Sequence, residues 1–213
     1  MSPATPQQTH PRDVRALALW PGAGTSAEHP SLVAIELAMA PLPVHRVDFP
    51  YRREGRRAPD RANKLIASLR HDVAELCEQL GIRSEQLVIG GRSMGGRMCS
   101  MAASGATGAT AKGAETTETP LPVAGVVLLG YPLHPPGHPE KLRTAHLTDL
   151  DVPTLFISGD RDPFGTPDEL AAAQALVPGP VTSVTLPGAR HELKGVDDQV
   201  VAAIRQWLGP LSG

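Results

Sequence analysis

Ser93 stands in "GRSMG", Gly91 to Gly95, where an apolar run from Leu87 gives way to glycines on either side of a hydroxyl. A serine at this Gly-x-Ser-x-Gly spacing suits a nucleophile on a sharp strand-to-helix turn. Side chains at the two glycines would collide with the adjoining strand and helix, and the helix would aim its free N–H groups at the same spot. Two other readings stand beside it. A phosphate-binding loop uses similar glycines, but "GGRSMGGR" lacks the Lys-Ser/Thr ending. The bland reading is a tight turn with an incidental serine.

A serine hydroxyl needs a base to become nucleophilic. Of the eight histidines, His10 and His29 fall in the tail and an early loop, His45 in a strand and His71 in a helix. His134, His138 and His146 lie in or after a Pro-rich loop. His191, in "LPGARHEL", follows the last expected strand and precedes the last helix, so it is the candidate base. Its alternatives are an ordinary loop histidine or a helix cap. A carboxylate must then hold the imidazole in one tautomer. "FISGDRDPFGTPDEL" offers Asp160 and Asp162 directly after a strand. Asp162 is the candidate, because it can curve back toward His191. Asp160 is open to bonding the turn backbone instead.

Acyl transfer also needs donors aimed at the developing oxyanion. The backbone N–H of Met94, directly after the serine, is one candidate, and that of Ala23, in "WPGAGTS", is the other. Arg92 either pairs with a carboxylate or lines the pocket. Tyr131, Pro132 and Phe164 are expected as apolar contacts at the rim. This chemistry calls for no cofactor and no metal.

The elements that must carry these residues are short. Apolar strands are expected at "VRALALW", "PVHRVDF", "EQLVIG", "VAGVVLLG", "PTLFISG" and "VTSVTLP". Between and after them lie helices: "SLVAIELAMA" with Ser31 as N-cap, "NKLIASLRHDVAELCEQL" ended by Gly81, "SMGGRMCSMAAS", "TPDELAAAQAL" and "VDDQVVAAIRQWL". The alternation predicts an α/β fold: a three-layer sandwich whose central, mostly parallel sheet has about six strands and no large cap. Every candidate site residue lies at the carboxyl end of a strand, where such sheets bind ligands. The domain is expected over 13–213, after a flexible tail at 1–12. "GATGATAKGAETTETPLP", 105–122, reads as a mobile surface excursion, with a lid as the alternative.

Bulk properties exclude other classes. The 213 residues suffice for one core. A net charge of −2 gives no global reason for a nucleic-acid or membrane partner. The loop bearing Arg52, Arg53, Arg56, Arg57 and Arg61 reads as solvated and partly salt-bridged, or as a receiver of an acidic substrate. Cys77 and Cys99 form no metal spacing and are expected as buried thiols, with one disulfide left open. No apolar stretch marks a signal peptide or a membrane span, so a cytoplasmic location is expected, as a monomer or weak homodimer.

Taken together, these residues resemble the α/β-hydrolase superfamily, specifically its small, nearly cap-free members near the dienelactone hydrolases. "GGRSMGGR", "GYPLHPPGHPEKLRTAHL" and "ISGDRDPFGTPDEL" are closer still to a subgroup of testis-expressed hydrolase-like proteins and a related subunit of a histone-acetyltransferase complex. The likeness covers roughly 15–208. It implies Ser93 as nucleophile, Asp162 as the acid and His191 as the base, in the superfamily's chain order. Two departures stand out. The oxyanion loop begins "WPGAG" rather than with His-Gly, and the chain lacks room for the two extra antiparallel strands of larger members. The implied activity is hydrolysis of a small carboxylic ester or thioester. The rivals are a hydrolase-fold binding or interaction protein with little turnover, a peptidase or amidase, and a perhydrolase-like use of the same groups.

Overall fold

The computed structural model describes residues 11, 13–109 and 115–209. The elements are β1 (Ala16–Trp20), α1 (Pro30–Ala38), β2 (Val44–Arg46), α2 (Pro50–Arg53), α3 (Ala62–Leu80), β3 (Leu87–Arg92), α4 (Met94–Ser104), β4 (Ala106–Ala109), β5 (Glu115–Thr117), β6 (Gly125–Leu129), β7 (Thr154–Gly159), α5 (Pro167–Gln174), β8 (Val181–Leu186) and α6 (Asp197–Leu208). Six strands form one sheet in the order β2-β1-β3-β6-β7-β8, with every neighbouring pair parallel.

Alternation along the strands builds the three layers. Ala16, Ala18 and Trp20 of β1, with Ile89, Val126, Leu128 and Phe156, face the core closed by α3, α4 and α5. Their neighbours Leu17, Leu19, Val88, Val127, Leu129 and Leu155 face the opposite core, closed by α1 and α6. Both faces are covered, which is why these strands read as continuous apolar runs rather than alternating ones. With few aromatics, the layers are filled mainly by branched aliphatic residues and alanine, and Trp20 and Phe156 are among the large, almost fully buried exceptions.

Some boundaries differ from the sequence reading. The first helix begins at Pro30, so His29 rather than Ser31 occupies the cap position. Proline suits the first helical position because its φ is already helical and its missing N–H is not needed there. Pro50–Arg53, read as loop, makes one helical turn for the same reason. β2 shrinks to three residues at the sheet edge. Within the 105–122 segment, β4 and β5 pair antiparallel, anchored by Glu118 N–H donating to Gly105 O at 2.7 Å; residues 110–114 lie outside the described residues, as does the tail apart from Pro11. Cys77 and Cys99 are buried and unbridged. No helix among the described residues is long and apolar enough to cross a membrane.

Candidate active site

The β3–α4 junction places the serine. Ser93 N–H donates to Leu129 O at 2.8 Å, tying the turn to the end of β6, and Arg97 N–H donates to Ser93 O at 3.0 Å. Between these anchors Ser93 adopts φ 46° and ψ −113°, a backbone that non-glycine residues rarely take. Such strain persists only where the surroundings over-determine it. Here they do. A Cβ at Gly91 or Gly95 would run into the Trp20 carbonyl, and one at Gly96 would stand 2.7 Å from Gly91 O. The glycines let three backbones meet, and the serine is forced outward.

Asp162 and His191 arrive on the loops after β7 and β8. Arg161 N–H donates to Ala189 O at 3.0 Å, and the Asp160 carboxylate accepts Gly188 N–H at 2.7 Å. Asp160, the alternative acid, thus stitches the two loops together. Asp162 Oδ2 and Oδ1 then lie 2.8 and 3.1 Å from His191 Nδ1, and His191 Nε2 lies 2.8 Å from Ser93 Oγ. A carboxylate only accepts, so Nδ1 donates to it, leaving Nε2 to accept the serine O–H. The Asp162 side chain is 0% exposed. Its Oδ1 also accepts Phe164 N–H at 2.8 Å, and the Phe164 ring stacks on the imidazole with centroids 3.9 Å apart. Gly130 backs the loop at φ 59°, where a Cβ would stand 2.7 Å from His191 O.

Arg92 is buried and braces the same loop. Its Nη2 donates to Glu192 O at 2.6 Å and its Nη1 to His29 Nε2 at 2.7 Å. An arginine only donates, so His29 Nε2 accepts and its Nδ1–H turns to Ser31 Oγ, 2.9 Å away. Burial, then the Arg92 charge, hold His29 below its usual range. Burial also pulls the Arg92 guanidinium below the ordinary arginine range, against the opposing pull of Glu192 and Asp197.

A cavity of about 470 Å³ opens over Ser93 and His191. Arg92, Pro132 and Phe164 line it, as do Ala23 and Met94. Met94 is the first residue of α4, so its N–H has no acceptor within the helix. Gly22 brings the β1 loop close, since a Cβ there would be 3.5 Å from Ser93 Cβ. Tyr131 is not on the lining. It is 1% exposed, its hydroxyl donates to Arg143 O at 2.6 Å, and its ring meets Phe156 edge-on at 5.9 Å. Leu133 N–H donates to Tyr131 O at 3.0 Å, closing a tight turn in which Pro132 lines the cavity while Tyr131 is buried in the core.

Sequence reasoning passed over four lining residues, Thr25, Arg97, Arg143 and Glu192. Arg97 is four residues after Ser93 on a helix, hence on the same face, and that spacing was there to be read. Arg143 comes from the long loop after β6, and nothing local marks it. The Arg-rich loop, by contrast, does not reach the cavity. Arg56 pairs with Glu54 and Asp60, and Arg53 with Asp72. Among the described residues, no cluster of three His, Cys, Asp or Glu side chains could hold a metal ion.

Comparisons with known proteins agree with this architecture. The dienelactone hydrolase from Anabaena variabilis superposes with a TM-score of 0.66 at 19% identity, covering 93% of this chain and 87% of that one. An alpha-beta serine hydrolase homologue from Coxiella burnetii gives 0.67 at 14% identity, with 94% and 89% covered. The Paleococcus ferrophilus monoacylglycerol lipase gives 0.64 at 16%, with 90% and 93% covered. At these identities the likeness is one of fold. No curated protein matches the chain. The family described as "Alpha/beta hydrolase domain" matches residues 14–203, and the chain belongs to it.

Proposed function

We propose that the protein is a serine hydrolase that cleaves a small carboxylic ester or thioester through an acyl-enzyme. The observation that carries this reading is the hydrogen-bonded line Ser93 Oγ, His191 Nε2, His191 Nδ1, Asp162. His191 takes the serine proton as Oγ attacks the carbonyl carbon. The N–H groups of Met94 and Ala23 receive the negative charge that develops on the carbonyl oxygen. His191 then gives the proton to the departing alcohol or thiol. Water attacks the acyl-enzyme by the same route, releasing the acid and regenerating Ser93. Asp162 stays ionised and steadies the imidazolium that forms in each half.

The rival reading, a binding protein of the same fold, requires a blocked cleft or a misaligned line. The distances and the open cavity weigh against it. Within the family, the strings around Ser93, Tyr131 and Asp162 favour the testis-expressed and histone-acetyltransferase-subunit subgroup. The test is a fluorophosphonate probe on the wild type, Ser93→Ala and His191→Ala. Labelling of the wild type alone supports the reading, and no labelling of any of the three defeats it. An ester panel of rising acyl length is expected to show turnover for short chains only, as a site without a large cap implies.

A further inference from the structure

Three guanidinium groups border the cavity, from Arg92, Arg97 and Arg143. None of them makes an ion pair with a carboxylate among the described residues, whereas Arg15, Arg46, Arg53, Arg56 and Arg70 all do. Arg92 is accounted for, since it braces the His191 loop. Arg97 and Arg143 are not. Arg97 Nε is buried without a hydrogen-bond partner, although the same side chain hydrogen-bonds Tyr131. Arg143 uses Nη1 on Pro132 O at 3.2 Å, which leaves most of its five N–H donors open. The two cations are also close enough to feel each other: burial first, then Arg97, hold Arg143 below the ordinary arginine range. Among the described residues Glu192 is the one acidic residue on the lining, and its electrostatic partner is Arg92.

The arrangement behind them keeps both arginines in place. Ser100 Oγ donates to Arg97 O at 2.9 Å and accepts from His146 Nε2 at 2.8 Å. Tyr131 O–H holds Arg143 O, and Arg143 N–H donates to Leu133 O at 2.8 Å. Two positive forks with donors to spare thus rise from an anchored backbone to line the same cavity as the serine. Repelling cations with free donors are the complement of an anion, and the planar fork of arginine matches a carboxylate or phosphate two bonds at a time.

We propose that Arg97 and Arg143 form an anion-recognition subsite, so that the ester or thioester cleaved at Ser93 carries a second, negatively charged group, a carboxylate or a phosphate. This rests on the hydrolase reading above and specifies its substrate. Hydrolysis consumes one water and breaks one acyl–oxygen bond. An anionic half-ester of a dicarboxylic acid therefore yields the dicarboxylate and the free alcohol.

Two matched pairs of esters test it with the full-length protein. In one pair the charge is on the acyl side, monomethyl glutarate against methyl pentanoate. In the other it is on the alcohol side, the butanoyl ester of 3-hydroxypropanoate against propyl butanoate. In at least one pair the charged ester is expected to show kcat/KM about tenfold or more above its neutral partner, and added salt should shrink the ratio. Arg97→Met and Arg143→Met should bring that ratio toward one, while Arg97→Lys and Arg143→Lys, which keep the charge, should retain part of it. Equal turnover of both members of both pairs would overturn the subsite and leave the hydrolase reading standing. If no ester is cleaved and the probe does not label, the hydrolase reading falls. Glutarate and inorganic phosphate, titrated calorimetrically into the wild type and the two methionine variants, then judge the subsite by itself. Binding that weakens in both variants supports it, with the tighter anion naming the charged group, and no binding of either anion overturns it.

Discussion

The two walls of the cavity are built on opposite plans. On the His191 wall nearly every polar group is closed within the protein: Asp162 accepts from His191 and Phe164, His191 accepts from Ser93, and Arg92 donates to Glu192 O and His29. On the other wall Arg97 Nε is buried with no acceptor, and Arg143 commits one donor to Pro132 O. Under the proposed function, the difference follows from what each wall would do. Groups that move a proton work best when aligned before substrate arrives, since reorganisation at the moment of reaction adds to the barrier. Groups that recognise a substrate must keep valences open until it comes.

That contrast can be broken from either side. The largest effect is expected from Asp162→Asn, which leaves the geometry but favours the wrong imidazole tautomer; kcat should fall by about ten-thousand-fold. A fall of less than about tenfold would mean that the closed line does not set the rate. Next comes an acid sensitivity seated behind the open wall. His146 is buried, and burial, with Arg97 adding to it, pulls its pKa from 6.5 down to about 3. The folded value lies below the unfolded one, so the unfolded chain takes up a proton that the native chain refuses. Stability is therefore full above about 6.5 and lost progressively as pH falls toward about 3, by on the order of 4 kcal/mol. Urea melts of wild type and His146→Gln from pH 7 to pH 4, if the idea holds, show a steep slope in the first and a flatter one in the second.

Arg92→Met sharpens the comparison on the closed wall. It leaves His29 Nε2 and Glu192 O without their donor and frees the His191 loop. A displacement of this kind costs roughly a hundredfold in kcat, with KM changed far less. A change in KM alone would move Arg92 to the recognition side. The smallest effect is expected from Asp160→Ala, which cuts the exposed stitch to Gly188 N–H. A thermal melt should register a loss of about 1 kcal/mol, and a larger drop in activity than in stability would give Asp160 a direct role.

Legibility in the sequence tracked how local each signal was. β3, α4 and the turn between them could be read because Leu87, Val88 and Ile89 run into Gly-x-Ser-x-Gly within one short window. α3 could be read from apolar spacing at Leu65, Ile66, Leu69, Val73, Leu76 and Cys77, all of which are buried. The start of α1 was misread because Ser31 carries a strong capping preference, yet Pro30 fits the first helical position before it. Tyr131 was misassigned because a residue's side of the chain depends on the local backbone beyond β6, which composition does not reveal. Arg143 was missed because its role comes from a long loop folding back over α4.

The amino-acid order alone settled the six strands of the main sheet, the five longer helices and which chemical groups stand at strand ends, because period, caps and turn residues act over a few neighbours. It could not settle which of those groups meet. Ser93 and His191 are 98 residues apart in the chain and 2.8 Å apart in space, a distance fixed by strand order and by the packing of both faces of the sheet. The pairing of Arg97 with Arg143 is of the same kind: charge is written in the sequence, but whether a counter-charge lies within reach is decided only when the chain closes around it.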